Sequence, residues 1–346
     1  MTTTTTEPRI RIDGAEGEGG GQVLRTALAL SLVTGEPFRI DDVRAGRPRP
    51  GLQRQHLTAV LAAAEVGGAE VEGAAVGATA LTFRPGRVRA GDYRFAVGTA
   101  GSATLVVQTV LPALLTAPGP SRLVVEGGTH NPFAPPFDFL QKSYLPLVGR
   151  MGPRVTARLE RAGFYPAGGG RLVVEVEPVE QLRPVEVLER GAITGRRVRA
   201  LVANLPASIA RRELTCVAEK LNWPGEAFTT EVVEGSPGPG NVLLVEVEAE
   251  AVTAVFTGFG MPGVPAEAVA REAVEQVRTY LAAGVPVERH LADQLLVPMA
   301  LAGGGVFRTT PLSRHARTNV GTVGRFLDVP IRTVDEEGGT VRVEVG

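Results

Sequence analysis

Residues Arg9–Val43 read RIRIDGAEGEGGGQVLRTALALSLVTGEPFRIDDV. Alternation over Arg9–Asp13 predicts a short strand, and the turn GAEGEGGG follows it. Gln22–Thr34 is apolar at Val23, Leu24, Ala27, Leu28, Leu30 and Leu32, the pattern of a buried helix face. Phe38–Val43 returns as a strand. Working outward, Leu52–Val66 predicts a second helix closed by Gly67 and Gly68, and strands follow near Ala69–Glu72 and Ala80–Phe83. The unit is βαβαββ.

The same order recurs downstream. Tyr93–Val97, Arg122–Glu126, Arg154–Leu159 and Arg171–Val176 read as strands, with helices at Ser102–Leu115 and Phe137–Arg150. A third copy is expected at the C-terminus, with helices at Leu291–Leu301 and Asn319–Leu327 and strands at Val306–Thr309, Ile331–Val334 and Thr340–Val345. Its first strand has no obvious place. An internal repeat of this kind points to stacked copies of one supersecondary unit. About Val187–Gly284 breaks the pattern, offering strands at Arg197–Val202, Ala227–Val233, Val242–Glu248 and Ala254–Thr257 and helices at Ala207–Leu221 and Ala266–Ala283. The expected fold class is therefore α/β (α+β). A large domain of three βαβαββ repeats (9–186 and 285–346) would carry a smaller inserted α/β domain (187–284). Residues 1–8, MTTTTTEP, read as a loose tail rather than a signal peptide.

Composition narrows the function classes. The chain has 346 residues, 44% hydrophobic and 21% charged, which suits a globular protein of this length. A net charge of −1 argues against a nucleic-acid coat protein but allows a local phosphate cleft. The single cysteine, Cys216, rules out an intramolecular disulfide and a cysteine-based zinc site, and it suits a reducing cytoplasm. The longest apolar run, Ala103–Ala117, is interrupted by Gln108 and Pro112 and is too short for a bilayer, so no membrane partner is expected. Only Lys142 and Lys220 are lysines, and neither sits in a nucleotidyl-transfer context, so a covalent nucleotidyl enzyme would need another nucleophile.

Arg44–His56, RAGRPRPGLQRQH, holds four arginines and one of four histidines without an acid. Prolines and glycines keep its first half irregular, and a helix then begins. Guanidinium forks at a helix start favour phosphate, although a basic stretch can also be a solvated loop. The turn Asp13–Gly21 mixes glycines, which let backbone N–H groups approach a phosphate, with Glu16 and Glu18, either of which could hold a divalent metal. It is neither a P-loop nor a dinucleotide fingerprint; a flexible turn with helix-start acids is the plain alternative. Gly98–Ser102 opens the matching helix of the second repeat, with Gln108 further along. Phe164–Gly170 is another glycine-rich loop. The C-terminal unit carries His290, Asp293 and Gln294, then Ser313, Arg314 and His315. A helix-start acid would account for Asp293, and a surface or capping role for His315. Between Arg314 and Arg317, however, His315 can serve as a nucleophile on phosphorus, kept neutral by the neighbouring cations.

The stretches DGAEGEGGGQVLR, RAGRPRPGLQRQHLTAV, DYRFAVGTAGSATLVVQTVLPALL, GFYPAGGG, HLADQLLVPMALAGGG and SRHARTN resemble the RNA 3'-terminal phosphate cyclase family. The resemblance runs from about Arg9 to the C-terminus and is least marked in the central insertion. It implies an ATP-dependent ligase with a histidyl–AMP intermediate. His315 would attack the α-phosphate of ATP, the AMP would pass to an RNA 3'-phosphate, and the vicinal 2'-hydroxyl would close a 2',3'-cyclic phosphate. It places Glu18 at a divalent metal (Mg2+ or Mn2+) and Arg25 near phosphates. Arg44, Arg47, Arg54, Gln55 and His56 would line the phosphate and RNA-end pocket, with Gln108, His290, Asp293 and Gln294 around ATP. The family commonly carries tyrosine where this chain has His290, which bears on nucleotide preference. His56 is the rival nucleophile. A non-catalytic relative would lack His315, and a transferase for small phosphorylated acids built on similar repeats would form no covalent AMP. The RNA end is the expected partner, with a homodimer left open.

Overall fold

The computed structural model describes residues 7–346, so the expected tail at residues 1–8 lies outside the described residues through residue 6. The first repeat comprises β1 (Ile10–Asp13), α1 (Gly21–Thr34), β2 (Phe38–Asp41), α2 (Arg54–Gly67), β3 (Glu70–Glu72) and β4 (Leu81–Arg84). The second comprises β5 (Asp92–Ala96), α3 (Ala103–Leu114), β6 (Ser121–Gly127), α4 (Phe137–Phe139), α5 (Leu145–Arg150), β7 (Arg154–Arg161) and β8 (Gly170–Glu177). A π-helical turn, Leu140–Tyr144, joins α4 to α5, so the single helix expected over Phe137–Arg150 changes its winding midway.

The third repeat starts with β9 (Val185–Val187), the strand that sequence periodicity does not place. It is only three residues long, too short to show alternation, and it is recognised by its parallel pairing with β14 (Gly305–Thr309) more than a hundred residues away. Between them lie β10 (Ile193–Ala203), α6 (Ser208–Leu221), β11 (Phe228–Val232), β12 (Gly240–Ala249), β13 (Thr253–Phe259), α7 (Ala266–Ala283) and α8 (Arg289–Leu301). After β14 come α9 (Arg314–Val323), β15 (Ile331–Glu336) and β16 (Thr340–Val345). The boundary expected at residues 186 and 187 therefore falls inside β9.

The mixed α/β class expected from periodicity is what the chain adopts. Three four-stranded sheets share one order and sense: β1-β2-β4-β3, β5-β6-β8-β7 and β9-β14-β16-β15. In each, the first pair is parallel and the remaining pairs antiparallel. The parallel pair is closed by a crossover helix, α1, α3 or α8. In the third copy that crossover also holds the inserted segment, whose strands form a separate sheet, β11-β10-β12-β13. One apolar cluster spans the three repeats, from Leu28 and Phe38 through Leu111 and Leu123 to Leu295 and Phe307. A second joins α6 and α7 to the inserted sheet through Val217, Val245 and Val274. Among the described residues no helix is long and apolar enough to cross a membrane.

Two of the helix starts that differ from expectation matter to the site. Helix α2 begins at Arg54 rather than Leu52, because Gln53 and His56 close a reciprocal capping box there. Helix α9 begins at Arg314, five residues before the expected Asn319, because the Ser313 hydroxyl accepts from the Ala316 amide at 3.1 Å. His315 thus sits in the first helical turn.

Candidate active site

Helices α1 and α9 meet across an interface of small and polar residues. On α9, His315 and Asn319 are four apart and share a face; on α1, Gln22 and Thr26 do the same. These four side chains interlock around Asp293 of α8. Gln22 Nε2 donates to both carboxylate oxygens of Asp293, at 2.6 and 2.7 Å. Asn319 Nδ2 donates to the Asp293 carbonyl and to its Oδ1, each at 3.1 Å, and Thr26 Oγ1 donates to Asn319 Oδ1 at 2.7 Å. Because the Gln22 nitrogen is committed to a carboxylate, its oxygen faces His315 Nδ1, 2.6 Å away. That oxygen can only accept, so Nδ1 carries the proton and Nε2 of the neutral ring holds the lone pair.

Nε2 lies 2.8 Å from Glu18 Oε2, and Glu18 also pairs with Arg47 at 3.1 Å. A carboxylate is a hydrogen-bond partner for Nε2 only when the ring is an imidazolium. Burial lowers the His315 pKa, Glu18 opposes it, and Arg47, Arg25 and His290 lower it further; the net direction is down. The expectation that Arg314 and Arg317 supply the depressing charge is replaced by Arg47, Arg25 and His290, all from other elements. Arg314 instead donates to the Gly17 carbonyl, and Arg317 lines a groove with Leu312 and Ile331 on another face of α9.

The turn ahead of α1 is shaped for close approach. Asp13 Oδ1 accepts from the Ala15 amide at 2.8 Å, starting the turn. Gly17 has φ +63°, and a Cβ there would meet Thr318 Oγ1 at 2.0 Å. No side chain caps α1 at Gly20, so its first amides are open to an anion. Around that end stand Arg25, Arg47 and His56. A Cβ on Gly20 would meet Arg47 Nη2 at 2.8 Å, and one on Gly21 would meet His56 Nε2 at 2.2 Å and Arg25 Nη1 at 2.9 Å.

Burial lowers the Arg25 pKa to about 10, with Asp293 opposing and Arg44 adding to the fall. Burial and then Arg47 lower that of Arg44. Cations that also lower one another's pKa stand close together, an arrangement that suits an anion. Burial, followed by Arg25 and Arg44, lowers the His56 pKa to about 3, so this ring is neutral. Its Nδ1 accepts from the Gln53 amide at 3.3 Å, which puts the proton on Nε2, the atom beside Gly21. His56 is thereby a hydrogen-bond donor to the pocket, while His315 has the opposite tautomer and presents a lone pair.

The remaining expected residues are placed as follows. Arg44 anchors its own loop through Nη1 to the carbonyls of Arg49 (2.6 Å) and Gly51 (2.8 Å). Arg54 is exposed at the first position of α2. Gln55 Oε1 accepts from the Ser102 amide at 2.8 Å, so it reaches toward the start of α3. His290 is exposed at the start of α8, near enough to act on both His315 and Asp293. Asp293 is not a helix-start acid: Glu288 caps α8, accepting from the amides of His290 and Leu291. Burial raises the Asp293 pKa to about 6, against hydrogen bonds from Gln22 and Asn319 and the charges of Arg25 and His290. Gln294 is half-buried and stands outside this network, and Gln108 lies along α3 with its Nε2 buried and unpartnered among the described residues. Sequence reasoning missed Gln22 and Asn319 as site residues. Their signal was helical spacing, four residues from Thr26 and from His315 respectively.

No group of three or more His, Cys, Asp or Glu side chains converges among the described residues. Mg2+ and Mn2+ sites in phosphoryl chemistry commonly use one or two carboxylates plus substrate phosphates, and Glu18 beside the cation pocket fits that requirement. Glu16 is turned the other way, toward Arg325, with which it pairs at 2.6 Å, whereas the partners of Glu18, Arg47 and His315, belong to the pocket itself.

A family model described as RNA 3'-terminal phosphate cyclase matches residues 16–333. A protein of that name from Koribacter versatilis (strain Ellin345) is 54% identical over 328 residues, covering 95% of this chain and 92% of its own. Another of that name, from Ectopseudomonas mendocina (strain ymp), is 51% identical over 336 residues, covering 97% and 98%. The matched span takes in the whole second repeat, all but the ends of the first and third, the inserted segment and every residue of the histidine–cation cluster, and this chain belongs to the RNA 3'-terminal phosphate cyclase family.

Proposed function

We propose that this chain converts an RNA 3'-terminal phosphate to a 2',3'-cyclic phosphate at the expense of ATP, through a covalent AMP on His315 Nε2. The observation that supports the reading is the tautomer lock: Gln22, itself held by Asp293, keeps the proton on Nδ1 and leaves the Nε2 lone pair beside the cation cluster at the start of α1. Nε2 forms a bond to the α-phosphorus of ATP as the bond to the bridging oxygen breaks and pyrophosphate leaves. Arg47 and Arg25 offset the negative charge that otherwise repels the attack. The AMP next passes to an oxygen of the RNA 3'-phosphate, with His315 leaving. The 2'-hydroxyl then attacks the activated phosphorus, its proton departs, and AMP is expelled. The last step is close to unimolecular, because nucleophile and electrophile share one ribose.

The phosphates would be held by the open amides of α1, Arg25, Arg44, Arg47 and the Nε2–H of His56. Glu18 would hold a divalent ion, which when bound neutralises phosphate charge. Glu18 lies 2.8 Å from Nε2, so the side chain that would hold the ion stands beside the proposed nucleophile. His290, Asp293 and Gln294 border the place for the nucleotide.

Labelled ATP with Mg2+ or Mn2+, followed by denaturation, tests the reading. One AMP per chain on His315, discharged by a 3'-phosphorylated oligoribonucleotide with formation of a cyclic end, is the expected result. Absence of covalent AMP, together with tight binding of a small phosphorylated acid, would overturn it.

A further inference from the structure

Phe133 is 102% exposed and holds φ +64°, a conformation that strains a bulky side chain. Tyr165 is 57% exposed, and the other strongly exposed large hydrophobic side chains among the described residues are Leu, Val or Met. Aromatic residues are only 5% of the chain. Two exposed rings in adjoining loops are therefore a local feature rather than a sampling of surface composition.

The loops adjoin through a parallel bridge between His130 and Phe164, whose rings stack with centroids 5.4 Å apart. Both loops also grip the segment Gly98–Ser102. Asn131 Nδ2 donates to the Ala100 carbonyl, and a Cβ on Gly168 would meet the Thr99 carbonyl oxygen at 2.6 Å. From its other side the same segment is held by Gln55, through the Ser102 amide and by close packing on Gly101. Gln55 is next to His56, whose Nε2 enters the anion pocket. An unbroken path of contacts thus leads from that pocket to the two rings.

The rings stand on a fixed base. His130 is buried, with Nε2 2.9 Å from Asp138 Oδ2 and Nδ1 2.9 Å from Thr129 Oγ1, and Asp138 is paired with Arg199 at 2.5 Å. Arg161 adds an exposed cation at the second loop, with Nε donating to the Gly169 carbonyl at 2.6 Å.

We propose that Phe133 and Tyr165 form a stacking platform for the nucleobases of the RNA strand just upstream of its terminal phosphate. The proposal rests on the reading of the site as acting on RNA ends. A strand whose end enters the anion pocket must leave across neighbouring surface, and flat rings beside an arginine suit single-stranded RNA. Stacking is indifferent to base identity because every base has a π-face, so this subsite would hold the strand without selecting sequence.

Binding of a 3'-phosphorylated oligoribonucleotide by fluorescence anisotropy, paired with enzyme–AMP formation from ATP alone, decides the matter. Phe133→Ala and Tyr165→Ala should each weaken RNA binding by roughly five- to a hundredfold, the range for loss of one base–aromatic stack. Both should form enzyme–AMP at the wild-type rate, and melting should be unchanged because both rings are exposed. Phe133→Leu should bind as poorly as Phe133→Ala, and Phe133→Trp should bind well. An RNA with abasic terminal residues should bind wild type and the double variant alike. Unchanged RNA affinity in the double variant overturns the platform, and a change in oligomeric mass with unchanged RNA affinity makes the patch a protein contact instead. If wild type itself forms no enzyme–AMP and binds no 3'-phosphorylated RNA, the functional reading fails and takes the platform with it.

Discussion

His315 and His56 both sit among cations, yet their partners give them opposite tautomers. We expect His315→Ala and His315→Asn to lose covalent AMP while still binding ATP, with the wild-type adduct labile in acid and durable in alkali. Peptide mapping that finds AMP on His56 would refute this assignment. Gln22→Met should keep ATP binding but lower adenylylation on the order of 10²-fold, the scale for losing orientation of a reacting group; unchanged single-turnover rates would show that the tautomer lock is dispensable. Asp293 adds a pH signature. Its folded pKa of about 6 exceeds the ordinary 3.8, so its contribution to stability is fully present below about pH 4 and is lost as pH rises through about 6. The shift corresponds to about 3 kcal/mol at most. Relative to Asp293→Asn, wild type should therefore lose thermal stability between pH 4 and pH 7, and parallel melting curves across that range would contradict the assignment.

Helix ends build the pocket. Helix α1 starts on glycines with no side-chain cap, whereas α2 is capped by the side chain of a pocket residue, His56. Gly21→Ala separates the two roles of that glycine. Alanine improves helix propensity by about 1 kcal/mol, but its methyl would collide with His56 and Arg25. We expect little change in melting and a fall in ATP affinity of about tenfold or more, since overpacking by a methyl costs ~1–3 kcal/mol. Calorimetric titration showing normal ATP affinity would mean that the pocket can relax around it. The start of α9 was misread from periodicity because SRHARTN has no apolar stripe. Its helix begins where Ser313 caps it, a local signal that a search for hydrophobic spacing passes over.

The inserted segment has its own core, and it is tied to the second repeat by apolar packing, through Leu244 and Val255 among others, and by charge. Arg199 on β10 pairs with Asp138, with Glu246 on β12 and with Glu231 on β11, and Lys142 pairs with Glu246 at 2.6 Å. Glu246 is fully buried. Arg199→Ala would strand buried carboxylates and should cost about 3–5 kcal/mol, read as a lowered denaturation midpoint. Enzyme–AMP formation below that midpoint should persist, because none of the groups around His315 comes from residues 187–284. A well-folded Arg199→Ala protein that cannot form enzyme–AMP would show that the insertion supports the chemistry directly.

The repeats, the mixed α/β class and the cation-rich stretch were legible in the chain because they depend on local order: periodicity of 2 or 3.6, glycine and proline punctuation, and clustered arginines. The motif resemblance added the roles proposed for Glu18, Arg25 and His315. Strand β9 was not legible, since three residues carry no period and its partner lies across the insertion. Nor were the roles of Gln22 and Asn319, the protonated nitrogen of each histidine, or the cations that act on His315. Each of these depends on which atom of one helix faces which atom of another, and that is settled only when α1, α8 and α9 pack together. A carboxylate 271 residues away from Gln22 orients its amide, and that amide then decides which nitrogen of His315 carries the proton.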